Sequence, residues 1–329
     1  MVMKEFIKSF PTHISHAIKI SNSVDMCIEP SNINNILIIG QGGSAIGGVI
    51  ANNILKEKIT IPILVNQDYK IPSFVGDKTL VIASSYSGDT EETLSALIEA
   101  YKKTRYIFCI CSGGKMLNFA EKNSIKYVLL PSGAAPRAML AYSVVQIILL
   151  ISKTCNIFKS IVHSLLDTHQ YLIEQQDSII AIATETVMQI SNKMPFIYAF
   201  PEFEGVAIRF KQQLNENSKR HACYNLIPEM NHNEIVPWVK QNMCAIPIFI
   251  NGKTSDRNSI RMKISIDSIK NSVEDIIELI SPTENSYMQQ YFYLIHLVDW
   301  ISIIVAEKDS VDPNDISLIH AFKDQLKQI

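Results

Sequence analysis

Residues 79–93 read TLVIASSYSGDTEET, in which an apolar run is followed by a hydroxyl-rich turn and then by the acidic residues typical of a helix start. Such a turn presents unpaired backbone N–H groups and hydroxyls at the positive end of a helix dipole, which suits a phosphate group. Ser, Asp and Thr also cap helices, so the segment taken alone fits ordinary capping equally well. The other loops of the chain must decide between the two interpretations.

The composition predicts a globular protein. The chain has 329 residues, of which 47% are hydrophobic and 19% charged, enough for two packed domains or one large α/β unit. The formal net charge is −2 and no run of Lys and Arg occurs, so nucleic acid is not an expected partner. The apolar segment 291–306 contains His296 and Asp299, and it predicts a buried helix rather than a membrane span.

The six cysteines indicate a reducing environment. Cys109 and Cys111 stand two residues apart in a strand-like run, so we expect both thiols on one face in a core rather than around zinc. No disulfide framework is needed, and no continuous apolar leader precedes a cleavage site of small residues. We therefore expect a cytoplasmic protein, with neither a bound metal nor a cofactor.

Apolar runs separated by helical patterns predict two parallel sheets in an α/β fold. The strands of the first sheet are predicted at residues 36–39, 61–65, 80–83, 106–111 and 127–130. The strands of the second are predicted at residues 196–200, 222–227, 245–250 and 273–280. We expect an N-terminal helix (1–28), a first domain (29–155), connecting helices (156–192), a second domain (193–308) and a C-terminal helix (309–329).

The loops after the strands of the first sheet are suited to hold one anion. Residues 40–48 read GQGGSAIGG, and a glycine-rich turn lets the backbone approach a ligand closely. The looser dinucleotide-binding pattern also fits this turn, but Asp68 comes late for the acidic residue that pattern expects. Because strand ends converge on one crevice in an open α/β sheet, we expect four hydroxyls around one phosphate: Ser44, Ser85, Ser87 and Thr90.

Three further segments carry candidate catalytic groups. Arg137 follows the last strand of the first sheet, where it would form an exposed salt bridge or face the crevice and stabilise an oxyanion. Residues 212–219 (QQLNENSK) are either a solvated surface or a helix end that presents a carboxylate. Residues 228–238 contain His232. An imidazole and a carboxylate in one crevice would move protons near neutral pH, but the spacing leaves a shared site open.

Taken together, these segments resemble the bifunctional phosphoglucose/phosphomannose isomerases, a family built from two sugar isomerase (SIS) domains. The resemblance covers nearly the whole chain and rests on residues 42–48, 85–93, 136–137, 214–219 and 228–234. It implies two SIS-type three-layer αβα domains with parallel sheets, plus N- and C-terminal packing helices. Gln41 and Val49 depart from the family pattern, which usually has methionine and aspartate at these positions.

The resemblance also implies an activity, the interconversion of glucose 6-phosphate and mannose 6-phosphate with fructose 6-phosphate. Glu216 would transfer a proton through a cis-enediol, His232 would assist ring opening and Arg137 would offset the enediolate charge. Lys323 would be the lysine contributed by the C-terminal helix, with Lys327 as its rival. The phosphate would be bound by Gly42, Gly43, Ser44, Ser85, Ser87 and Thr90. In this family the histidine reaches the neighbouring subunit's site, which implies a homodimer.

Three other functions remain open at this stage. A sugar-phosphate sensor without catalysis would keep the phosphate loops but lack the acid–base pair, and Glu216 and His232 argue against it. The second alternative is another aldose–ketose isomerase or an aminosugar enzyme with SIS domains, of which the aminosugar enzyme is disfavoured because the sequence shows no glutaminase-like N-terminal cysteine domain. A dinucleotide-dependent dehydrogenase is the third alternative, and it depends on the glycine-rich turn alone.

Overall fold

The computed structural model describes residues 2–25, 33–241, 243–326 and 328. The chain divides into two compact units. We call Lys8–Gln176 with Pro282–Phe292 the N-terminal unit, and Met1–Ile7, Asp177–Ser281 and Tyr293–Ile329 the C-terminal unit. The five-part division expected from the sequence stays a prediction, and its boundary between residues 28 and 29 lies outside the described residues.

The N-terminal unit contains a five-stranded parallel sheet, as predicted. Its strand order is β2-β1-β3-β4-β5, and β3 is buried at all six positions. A continuous apolar run is what a strand covered on both faces requires. The strands are β1 (Asn35–Ile39), β2 (Ile63–Asn66), β3 (Thr79–Ser84), β4 (Ile107–Cys111) and β5 (Lys126–Leu129).

The C-terminal unit contains the predicted second sheet, which has four parallel strands in the order β7-β6-β8-β9. These strands are β6 (Met194–Ala199), β7 (Cys223–Leu226), β8 (Ala245–Asn251) and β9 (Ile277–Ile280). The last strand is shorter than predicted. The preceding acidic residues, Glu274 and Asp275, instead pair with the Lys193 ammonium at 2.9 and 2.8 Å, so they form a loop rather than a ladder.

Helices connect the strands. They are α1 (Val2–Lys8), α2 (Phe10–Asn22), α3 (Gly42–Leu55), α4 (Glu91–Tyr101), α5 (Gly114–Lys122), α6 (Leu140–Thr154), α7 (Phe158–Ile190), α8 (Glu204–Ser218), α9 (Asp256–Ile269), α10 (Tyr287–Lys308) and α11 (Ser317–Leu326). Short 3-10 turns occur at Pro136–Met139, Pro201–Phe203, Glu229–His232 and Val236–Val239. The single N-terminal helix expected from the sequence is two helices, because Pro11 lacks an N–H and its ring would clash with the preceding turn.

The core of the N-terminal unit confirms the expectation for the two strand cysteines. The Cys109 and Cys111 side chains are fully buried, and burial raises the pKa of the Cys109 thiol to about 12. Cys27 lies outside the described residues. Segment Pro136–Thr154 is long and apolar enough to cross a membrane by length and composition alone, but its most apolar window is 94% buried within the protein. This burial identifies it as a core helix.

Candidate active site

The loops after β1 and β3 meet in the middle of the first sheet. These two strands are neighbours, while β2 lies on one side of them and β4 on the other, so the strand order reverses between them. In open α/β sheets, ligands bind outside the carboxyl ends of the strands at such a reversal. A Cβ at Gly40 would lie 3.0 Å from the Ser84 carbonyl oxygen, so glycine allows the two strand ends to approach.

Three of the four predicted phosphate-binding hydroxyls lie in one cluster. The Ser44 Oγ accepts a hydrogen bond of 3.3 Å from the Tyr86 N–H, and the Ser85 Oγ and Thr90 Oγ1 are 2.9 Å apart in a hydrogen bond. Ser44 and Ser85 are buried, whereas Thr90 is half-buried. Ser87 is exposed, and its Oγ accepts from the Asp89 N–H at 3.3 Å. The structure therefore provides a compact hydroxyl cluster with one exposed hydroxyl, that of Ser87, beside it.

Backbone donors complete the cluster at two helix starts. Helix α3 begins at Gly42, inside the run that the sequence presents as a turn, so the N–H groups of Gly42 and Gly43 occupy its first turn. Neither N–H has a partner within the described residues. Thr90 is the N-cap of α4, yet its side chain bonds Ser85 rather than the helix. Capping by Thr90 therefore does not explain the loop before α4, and the unpaired N–H groups of Gly42 and Gly43 at the start of α3 suit an anion.

The loop between β3 and α4 is held rigidly from two sides. Gly88 has φ +74°, and a Cβ there would lie 1.8 Å from the Gly113 carbonyl oxygen. The Tyr86 hydroxyl donates to the Pro131 carbonyl at 2.8 Å, which links this loop to the segment before Arg137. Asp89 accepts from the Lys115 N–H at 3.0 Å and so binds the start of α5. These contacts fix the positions of the hydroxyls before any ligand arrives.

Arg137 lies next to the same cluster. A Cβ on Gly43 would lie 3.8 Å from the Arg137 Cα, so the backbone of the 3-10 turn adjoins the start of α3. Arg137 is only 3% exposed, which contradicts the alternative of an exposed surface salt bridge. A buried arginine whose backbone adjoins this loop can supply positive charge where screening by water is weak.

Glu216 lies in the last turn of α8, in the C-terminal unit. A cavity of about 420 Å³ opens beside it, lined by Asn215, Glu216, Lys219, Arg220, His221 and the segment from Asp315 to Ile319. The Lys219 Nζ donates to the carbonyl oxygens of Glu216 (2.8 Å) and Asp312 (2.6 Å), which ties the end of α8 to the segment before α11. The segment is thus a structured cavity wall and not simply a solvated surface.

Lys323 lies on α11, which has no buried residue, and it is not among the side chains that line the cavity. Lys327 lies outside the described residues. The Ser317 N–H donates a hydrogen bond of 2.9 Å to the Asp315 Oδ1. This bond lowers the pKa of Asp315, so that carboxylate stays ionised at the cavity wall.

His232 ends a 3-10 turn and is exposed, and its ring has no hydrogen-bond partner among the described residues. The residues around it are anchored. The Asn231 Nδ2 donates to the Ser265 Oγ at 2.7 Å, and Glu234 accepts from the Tyr198 hydroxyl at 2.9 Å. A held loop therefore presents a free imidazole to the outside of the unit.

Glu216 and His232 lie beyond opposite ends of strand β7 in the second sheet. Helix α8 ends just before β7 begins, whereas His232 follows the end of β7. At 3.3 Å per residue, this four-residue strand places its two ends about 13 Å apart. Within the C-terminal unit, Glu216 lines the cavity of about 420 Å³ and His232 is not among the residues that line it.

Sequence reasoning overlooked a buried ion pair on α8, the helix that also carries Glu216. Asp299 drew attention only as an argument against a membrane span, yet it forms an ion pair with Arg209 inside the C-terminal unit. The signal was available, because Arg209, Gln213 and Asn217 recur every four residues, the spacing of one face of a helix. Across the described residues, no group of three or more His, Cys, Asp or Glu side chains is arranged to hold a metal ion.

Comparisons with known proteins give a consistent result. Residues 181–326 match the family description of the bacterial phospho-glucose isomerase C-terminal SIS domain. The chain is 36% identical to a bifunctional phosphoglucose/phosphomannose isomerase from Caldicellulosiruptor bescii over 99% of both chains. It is 32% identical to the Aquifex aeolicus protein of the same name, over 92% of this chain and 94% of that one.

The fold also has solved counterparts. One is the C-terminal domain of glucosamine-fructose-6-phosphate aminotransferase from Francisella tularensis, with a TM-score of 0.77 and 16% identity. The match covers 95% of this chain and 98% of that domain. At this identity the similarity concerns the fold alone.

Proposed function

Because this chain belongs to the bifunctional phosphoglucose/phosphomannose isomerase family, we propose that it interconverts glucose 6-phosphate and mannose 6-phosphate with fructose 6-phosphate. The observation that carries this proposal is the 36% identity to a bifunctional isomerase along 99% of both chains. The hydroxyl cluster at the strand reversal supports it, since every substrate of this reaction carries a phosphate.

The first group of residues binds that phosphate. The N–H groups of Gly42 and Gly43 and the hydroxyls of Ser44, Ser85 and Thr90 donate to its oxygens, and exposed Ser87 adds a further donor. Ser85 and Thr90 already bond each other, so the ligand replaces only part of an existing hydrogen-bond arrangement. Because the loop is fixed in advance, little conformational entropy is lost on binding.

The second group moves the proton. In the open-chain aldose, the hydrogen on carbon 2 lies beside the carbonyl at carbon 1. The Glu216 carboxylate removes this proton and leaves a cis-enediolate with its charge on the carbon 1 oxygen. The proton of the carbon 2 hydroxyl passes to the carbon 1 oxygen, and the same carboxyl returns its own proton to carbon 1, so that carbon 2 carries the ketose carbonyl. Arg137 offsets the charge of the enediolate, and Lys323 supplies a second cation.

His232 assists ring opening in the site of a second subunit. The position of the two residues beyond opposite ends of β7, a strand of roughly 13 Å, supports this, because the exposed imidazole lies at the end of β7 away from the end of α8 that carries Glu216 and is available to another copy. The functional molecule is then a homodimer with composite sites. We also place the protein in the cytoplasm, where it serves glycolysis and gluconeogenesis.

The experiment is a coupled assay for fructose 6-phosphate, started from glucose 6-phosphate and separately from mannose 6-phosphate, with a chelator present. We expect both sugars to turn over, and the Glu216→Gln variant to lose about 100- to 10,000-fold in kcat, the usual contribution of a general base. Glu202→Gln, on a 3-10 turn before α8, is the matched control.

If neither sugar turns over but both bind, the protein is a sugar-phosphate sensor and Glu216 is a binding or structural residue. If neither sugar turns over or binds, but another sugar phosphate is isomerised, the substrate assignment is wrong and the fold assignment stands.

A further inference from the structure

We infer that a buried polar network between α8 and α10 positions the Glu216 carboxylate for proton transfer. The α8–α10 network comprises Arg209, Gln213, Asn217, Ser218, Asp299 and Ser302, all buried within the C-terminal unit. The inference rests on the proposed function, because it assigns positioning residues to the proposed base.

The first half of the network surrounds the Asp299 carboxylate. The Arg209 Nε and Nη2 donate to Oδ1 and Oδ2, each at 2.9 Å, which makes a bidentate ion pair. The Gln213 Nε2 donates to Oδ1 at 2.8 Å. Both partners of the ion pair are about 2% exposed. Burial raises the pKa of Asp299 while the Arg209 charge lowers it, and we take the bidentate pair to keep the carboxylate ionised.

The second half of the network holds the residues that directly follow Glu216. The Asn217 Nδ2 donates to the Ser302 Oγ at 3.0 Å, and the Ser218 Oγ donates to the Ser302 carbonyl at 2.6 Å. The Ser302 Oγ in turn donates to the Asp299 carbonyl at 2.7 Å. Ser302 thereby joins the two halves.

The spacing of the network fixes the position of α8 along its axis and its rotation about that axis, both relative to α10. Residues 209, 213 and 217 form one row along the helix, and Glu216 lies in the adjacent row. Sliding the contacts by one residue would move the Glu216 Cα by about 1.5 Å along the axis and rotate it by about 100°. Each hydrogen bond between α8 and α10 therefore selects one position of the carboxylate.

Energetics favour positioning over stability as the role of these residues. Replacing a buried ion pair by well-packed apolar side chains is often neutral or stabilising, because desolvation offsets the attraction. What such a pair supplies is a specific register between elements, as buried polar residues do in coiled coils. A proton-transfer base needs that register, since a displacement of about 1 Å costs on the order of 100-fold in rate.

The test is a double-mutant cycle in kcat between Asn217→Leu and Glu216→Gln. Leucine fills a similar volume but cannot donate to the Ser302 Oγ. We expect Asn217→Leu alone to lower kcat by about 10- to 100-fold with KM changed less than about threefold. In the Glu216→Gln background we expect it to lower the residual rate by less than about twofold, because the group it positions is absent.

A second variant and a control keep the result interpretable. Ser302→Ala removes the same hydrogen bond from the α10 side, and we expect the same non-additivity. Thr186→Val is the control, since this buried hydroxyl of the C-terminal unit bonds the Ile182 carbonyl of its own helix. We expect its kcat to be unchanged.

Two outcomes would overturn the inference. One is a normal kcat in both Asn217→Leu and Ser302→Ala. The other is an equal loss in the wild-type and Glu216→Gln backgrounds, which a merely structural role predicts. A wild-type protein that turns over neither sugar would instead overturn the proposed function, so the two failures are distinguishable.

Discussion

At the scale of single residues, the hydroxyl cluster depends on one glycine. Gly88 has φ +74°, and a Cβ at this position would clash with the Gly113 carbonyl oxygen, only 1.8 Å away. We expect Gly88→Ala to lower the free energy of unfolding by more than about 2 kcal/mol, through backbone strain and the steric clash. We also expect weaker binding of inorganic phosphate, because Ser85 and Thr90 flank this position. Urea denaturation and phosphate titration measure the two effects.

Gly133→Ala separates strain from the clash. Gly133 also has a positive φ, +98°, but nothing lies within 4 Å of an added Cβ. Its loss of stability should come from strain alone, about 1 kcal/mol. Equal losses in the two variants would contradict the argument that contact with Gly113 makes glycine necessary at position 88.

At the scale of elements, the sequence predicts what depends on local patterns. The run LVIA in β3 predicts a strand buried on both faces, and the structure confirms it, with all six residues of β3 buried. Contacts between distant residues escape this reasoning. Helix α3 begins at Gly42, inside the predicted turn, and Asn217 bonds Ser302, 85 residues away. Neither follows from periodicity.

The same limit applies to the candidate site. The residue types of the phosphate loops are readable from the sequence, since strand ends and helix starts lie close together along the chain. The separation of Glu216 from His232 is not, because it depends on the direction in which β7 runs between them. Glu216 and His232 are sixteen residues apart in the sequence, which fits side chains in one crevice as well as side chains at opposite ends of a strand. Only the topology of the sheet decides between these two arrangements.

At the scale of the whole molecule, buried histidines make the fold sensitive to acid. Burial lowers the pKa of His13 to about 4 and that of His296 to about 3, from an ordinary value of 6.5. Below pH 6.5 the unfolded chain takes up these protons before the folded one does. The contribution of each histidine to the free energy of unfolding is therefore fully present above about pH 6.5. Below that pH the free energy of unfolding falls by up to about 1.4 kcal/mol per pH unit for each histidine, until the pH reaches the lowered pKa of the folded state.

Urea denaturation between pH 7 and pH 4 measures this loss. His296→Gln offers the Trp300 indole an acceptor in place of the His296 Nε2, which lies 3.3 Å from it. We expect this variant to have a shallower decline in stability with falling pH than the wild type. An unchanged slope would mean that other groups cause the acid sensitivity.

The composite site of the proposed dimer predicts that two inactive variants restore each other. Glu216→Gln keeps His232, and His232→Ala keeps Glu216, so a dimer with one subunit of each has one site with both native groups and one site with neither. In a two-fold symmetric dimer with random pairing, half of the molecules are mixed, so co-expression should restore about a quarter of wild-type activity. The measurement is isomerase activity of the mixed dimer, purified through a different tag on each subunit; with one native site of two, it should have about half of the wild-type activity. If the mixed dimer forms but is no more active than the better variant alone, each site takes both groups from one chain. The His232 loop would then have to move along the length of β7 to reach Glu216, despite the hydrogen bonds that anchor Asn231 and Glu234.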